Sequence, residues 1–128
     1  MLVVNRIFTL KPLTKIDEFL KRFDNFKDGE VRLLEVISPT TMKITLAGQD
    51  SARDFDWITV SLEFSNVSDA KLLEQNRLAL IDMSDGVNII NENNSLAFAI
   101  GECYNISAIK TSVCYIVSSS IKYEEGLF

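Results

Sequence analysis

The chain has 128 residues, no histidine, two cysteines, 47 % apolar and 24 % charged residues, and a net charge of −5. That is the length of one domain, 1–128, able to bury roughly two-thirds of its unfolded surface, and the composition argues against disorder. The missing histidine removes the commonest general base and metal ligand near neutral pH, and the acidic balance disfavours nucleic acid as a partner.

Residues 2–10 read as a strand with Val4, Phe8 and Leu10 on one face, ended by Pro12. Thr14 is the expected N-cap of a helix. Ile16, Phe19, Leu20, Phe23 and Phe26 follow at helical spacing and form one apolar stripe, expected to pack as core. Asp17 with Lys21 and Glu18 with Arg22 have the spacing of favourable pairs along a helix. Gly29 is the expected left-handed stop.

From Val31 the period becomes two. Residues 31–37 are apolar on both faces in places, as in a central strand, and Ser38-Pro-Thr40 turns the chain into Met42, Ile44 and Leu46, completing a hairpin. Residues 48–54 read as a polar loop. Ile58, Val60, Leu62 and Phe64 alternate with Thr59, Ser61, Glu63 and Ser65, the pattern of an antiparallel strand with one wet face. Residues 67–76 fit either a short helix or an irregular edge.

Asp85-Gly86, between the apolar runs 78–82 and 87–90, signals a second hairpin. Asn93-Asn94 turns into Leu96, Phe98 and Ile100. Residues 102–110 read as a loop or a continuation of that strand. Residues 113–123 read as one long strand whose serines mark a bend or an exposed tract. Strand follows strand without intervening helices, which excludes parallel crossover units. The expected fold is α+β, mainly β: an antiparallel sheet or two-sheet sandwich of about seven to eight strands, with one N-terminal amphipathic helix packed on it.

The start, Met1–Arg6, is too short for a secretory signal, and no run reaches the roughly eighteen apolar residues that span a bilayer. The expectation is a cytoplasmic protein, away from membranes, with Cys103 and Cys114 as reduced, buried thiols. In an exported protein the two cysteines could instead form a bridge.

No cofactor motif is present: neither a phosphate loop nor a dinucleotide-binding glycine pattern occurs. Asp50, Asp54 and Asp56 cluster before Trp57, but they lack the central glycine and distal glutamate of a common calcium loop, so a solvated loop is expected. Asp82 and Asp85 beside Gly86 read as turn chemistry. Neither cysteine has a histidine to activate it.

Charge is uneven. Residues 1–47 balance at +2 and residues 48–128 at −7. An acidic exterior attracts basic partners and speeds their encounter. Aromatic residues among acids suit an anchor for such a partner. Asp50, Asp54, Asp56, Trp57, Asp82 and Asp85 are therefore the candidate partner-binding residues.

The segment Val60-Ser-Leu-Glu-Phe64, then Val67, Asp69, Leu72 and Gln75-Asn76, followed by hairpins and a terminal Cys-bearing strand, resembles small bacterial immunity proteins over residues 55–123. The resemblance implies a non-enzymatic protein that neutralises one cognate toxin domain. Two competing expectations stand beside it. One is a structural protein that forms a homodimer through an exposed edge of 113–123. The other is an enzyme or small-ligand binder with a pocket between helix and sheet.

Overall fold

The computed structural model describes residues 10–128. The strand expected over 2–10 therefore lies outside the described residues, Leu10 excepted. The architecture is mainly β: a five-stranded and a four-stranded antiparallel sheet, with few helical residues. In chain order the elements are β1 (Lys11–Pro12), α1 (Ile16–Arg22), β2 (Glu30–Ser38), β3 (Thr41–Asp50), β4 (Asp56–Ser65), β5 (Asp69–Lys71), β6 (Val87–Glu92), β7 (Ser95–Ile100), β8 (Tyr115–Ser118) and β9 (Ser120–Leu127). Short 3-10 segments sit at Asp24–Phe26, Ser51–Arg53, Gln75–Leu80 and Ile106–Thr111. The first sheet runs β1-β9-β4-β3-β2 and the second β5-β8-β7-β6.

The alternation of β3 and β4 fixes the inner face of the first sheet. Ile44, Leu46, Val60, Leu62 and Phe64 are fully buried there, and Ile44 opposes Leu62 across the ladder. The second sheet supplies Val87, Phe98 and Ile116 to the same core, where the Phe64 and Phe98 rings lie 5.5 Å apart. The helical stripe also packs as core: Phe19, Phe23 and Phe26 form an aromatic cluster joined by Tyr123. A smaller core lies elsewhere on the four-stranded sheet, where Ala97, Ala99, Tyr115 and Val117 pack with Ile109 and Cys103 from the chain that follows β7.

The helix is shorter than its stripe predicts. It begins after Lys15, with no side-chain cap from Thr14, and ends at Arg22. Asp24, Asn25 and Phe26 then all take positive φ. Asparagine and aspartate tolerate that region, and Asn25 Nδ2 donates to the Val87 carbonyl at 3.1 Å. A contact sixty-two residues distant thus stops the helix. Gly29 is not left-handed. It is small because a Cβ there would strike the Ala47 and Phe26 carbonyls.

The run 113–123 is not one strand. It divides at the serines into β8 and β9, which belong to different sheets. Among the described residues both have a neighbour on each side, β8 between β5 and β7 and β9 between the two-residue β1 and β4. Residues 78–82 do not form a hairpin with 87–90 either. Most of them lie in the 3-10 segment Gln75–Leu80, and the Asp85-Gly86 turn leads from it into β6. The Asn93-Asn94 turn does join paired strands, with φ of 50° and 63°.

β2, expected to be central, is an edge strand. Its Leu33, Val36 and Ile37 are exposed. Two register irregularities interrupt it, which is one way an edge resists pairing with another chain. Gln75 is another. Its Nε2 donates to the Arg32 carbonyl at 3.0 Å and its Oε1 accepts from the Leu34 amide at 3.4 Å. The side-chain amide thus occupies the place a neighbouring strand's peptide group would take. Gln75→Ala should shift the sedimentation profile towards larger species than wild type at equal concentration. An unchanged profile would leave the irregularities as the sole protection.

Candidate functional site

The corner between β3 and β4 carries the densest group of predicted site residues. Its framework is ionic. Asp50 ends β3 and is fully buried. Its carboxylate accepts from Arg22 Nε at 2.7 Å and Nη2 at 2.6 Å, and from the Ala52 amide at 2.9 Å. Arg22 also donates to Glu125 on β9, at 3.1 and 3.0 Å. Arg53 bridges both acids, 3.3 Å from Asp50 and 3.0 Å from Glu125. Two arginines and two carboxylates thus tie α1, the corner and β9 together.

The electrostatics follow from that geometry. The Arg22 guanidinium holds the Asp50 carboxyl below its ordinary range, helped by the Ala52 amide and opposed by burial. Arg22 does the same to Glu125, against desolvation. Arg22 is itself held protonated beyond its usual range by its bonds to Asp50 and Glu125.

Asp50 is therefore not part of a solvated loop but a buried member of the ion-pair network. Glu18 does not pair with Arg22 as the helical spacing suggests. The stronger bidentate site on Asp50 takes the guanidinium instead.

This framework presents the other three corner residues. Asp54 and Phe55 both take left-handed backbone, with φ of 54° and 65°, and the Phe55 amide closes the turn on the Asp50 carbonyl at 2.9 Å. Such strain in a residue that is not glycine persists only where its surroundings enforce it. Phe55 is 62 % exposed. Trp57 follows on β4, its ring 5.4 Å from that of Phe128. Phe128 lies under the Arg32 guanidinium at 4.0 Å and accepts from Arg32 Nη1 through its carbonyl. The result is an exposed aromatic surface beside Asp54 and Asp56, neither of which forms an ion pair among the described residues.

Asp82 and Asp85 lie elsewhere, in the turn before β6. Asp82 accepts from the Ser84 amide at 2.9 Å, the turn chemistry its neighbours suggested, and this bond lowers its carboxyl's proton affinity. The structure thus places Asp54, Asp56 and Trp57 together at the β3–β4 corner and Asp82 and Asp85 in the turn before β6. Sequence reasoning passed over Phe128 and Arg32, whose place beside Trp57 depends on the order of strands in the sheet.

The cysteines are both unpaired and buried. Cys114 belongs to the main core and Cys103 to the smaller one. Burial pushes the Cys114 thiol up to about 11, so it is protonated at neutral pH. Among the described residues no helix is long and apolar enough to cross a membrane. No family model matches the chain, and neither the curated proteins nor the solved structures gave a match.

Proposed function

We propose that this is a non-enzymatic binding module that takes a basic protein domain against the Asp54–Trp57 corner. The observation that carries the reading is the pair of exposed aromatic residues, Phe55 and Trp57, flanked by two carboxylates on a corner fixed by partly buried ion pairs. A rigid aromatic anchor loses little conformational freedom on binding. The neighbouring acids steer a cationic partner in. The sequence resemblance to small bacterial immunity proteins makes the partner a toxin domain, and the cytoplasm is the compartment where such a toxin would be met.

The test is affinity capture from the native cell with wild-type protein and with Trp57→Ala side by side. A basic protein should be retained by wild type. Its affinity for Trp57→Ala should be weaker by about 2–4 kcal/mol. Its association rate should fall about tenfold as salt rises from about 0.05 to about 0.5 M. Equal retention by both forms, or a rate indifferent to salt, would overturn the reading.

A further inference from the structure

Arginine recurs in one arrangement in this molecule. Arg22 lies over the Phe23 ring, 4.8 Å from its centroid, and bonds the carboxylates of Asp50 and Glu125. Arg32 lies over the Phe128 ring at 4.0 Å and bonds Glu30 at 3.2 Å. In both places an aromatic face carries a guanidinium whose nitrogens donate to acid side chains. A guanidinium suits that position because it is flat, weakly hydrated and always charged. Stacked on a ring, it still presents its N–H groups at its edge, where carboxylates can accept them.

The Asp54–Trp57 corner presents the ring and the acids of the same arrangement at the surface. Among the described residues the exposed Phe55 ring stacks on no other aromatic ring and carries no cation. The acids on either side of it in the chain, Asp54 and Asp56, are exposed and form no ion pair there. Arg53 is the only basic residue between Lys43 and Lys71, and it is engaged by Asp50 and Glu125.

We propose that Phe55, Asp54 and Asp56 recognise an arginine of the partner, its guanidinium stacked on the Phe55 ring and bonded by the two carboxylates. The inference rests on the corner being a docking surface, and it narrows a basic partner to one that offers arginine there. Lysine suits the place less well: its ammonium is compact and strongly hydrated, with no flat face to lay on a ring.

The experiment uses the full chain, isotope-labelled for NMR, and three glycine-spaced peptides that carry arginine, lysine or citrulline. Citrulline keeps the shape of arginine without its charge. The arginine peptide should shift the amide signals of Asp54–Trp57 and change the emission of Trp57, the only tryptophan. The lysine peptide should bind about threefold more weakly and the citrulline peptide at least about tenfold more weakly. Phe55→Ala should weaken the arginine peptide about fivefold, whereas Phe55→Trp should bind it at least as well as wild type. Asp54→Asn and Asp56→Asn should each weaken it several-fold. The proposal is overturned if the lysine or citrulline peptide binds as well as the arginine peptide, if Phe55→Ala binds as wild type does, or if the shifts gather away from the corner. Any of these results, alongside a captured basic protein that Trp57→Ala releases, would leave the docking reading standing without its arginine. Arginine binding with no protein captured would overturn the docking reading and support the recognition of a guanidinium.

Discussion

Asp50→Ala is expected to destabilise the protein by about 2–4 kcal/mol, the cost of removing a buried charged acceptor whose arginine keeps a second carboxylate partner. The carboxylate is fully covered and accepts three hydrogen bonds, two of them from a guanidinium. Removing it leaves Arg22 with Glu125 as its remaining partner and takes the Ala52 amide's acceptor away. Asp50→Asn keeps an acceptor for Ala52 and should cost less.

The same network sets the acid limit of stability. Asp50 and Glu125 are both held below their ordinary proton affinity in the folded state. Their contribution is complete above the unfolded value, near about 4, and is lost as pH falls through the lower folded values. Denaturant titrations from neutral pH downward should show wild type losing stability below about pH 4. Asp50→Asn should show a shallower decline over the same range. Parallel curves for the two proteins would mean that the ion pair contributes nothing to the acid response.

The second large effect is expected at Gly86. Its φ is +66°, and a Cβ there would collide with the Asn25 carbonyl and the Lys27 amide, both rigid backbone. Its carbonyl also accepts from the Gly101 amide at 2.8 Å, and the adjoining Met83 carbonyl accepts from the Asp28 amide. Three stretches of chain thus meet at this residue. Left-handed backbone costs an alanine about 1–2 kcal/mol, and the collision adds overpacking of about 1–3 kcal/mol. Gly86→Ala should therefore lose about 3 kcal/mol in chemical denaturation. Asp85→Ala, an exposed neighbour, should stay within about 0.5 kcal/mol of wild type. A loss below about 1 kcal/mol at Gly86 would show that the Asn25–Lys27 turn yields easily.

Much of the sheet was legible because burial on one face imposes a period of two. Ile58, Val60, Leu62 and Phe64 declare β4, and Met42, Ile44 and Leu46 declare β3, whatever surrounds them. The Asn93-Asn94 turn was legible because asparagine adopts positive φ at low cost. What escaped was set by distant parts of the chain. Asn25 ends α1 early by bonding Val87. The alternation through 113–123 continues smoothly across a change of sheet, so no period could reveal it. β2 is apolar on both sides yet lies at an edge, because Gln75 and its irregular register stand in for a neighbouring strand. At the corner, the cluster of acids ahead of Trp57 was visible, but Asp50's burial depended on Arg22, twenty-eight residues upstream. A charge without its partner in view reads as a surface charge.

The division at Ser119 also bears on how the molecule assembles. One uninterrupted stretch, 115–127, inserts a middle strand into each layer, so neither layer can be finished before that stretch arrives. Partners far apart along the chain must be brought together first, which slows folding relative to proteins whose contacts are local. The same linkage couples the layers once they have formed: withdrawing the stretch takes a partner from β4 in one layer and from β7 in the other, and the backbone amides of β8 and β9 should lose protection from exchange together.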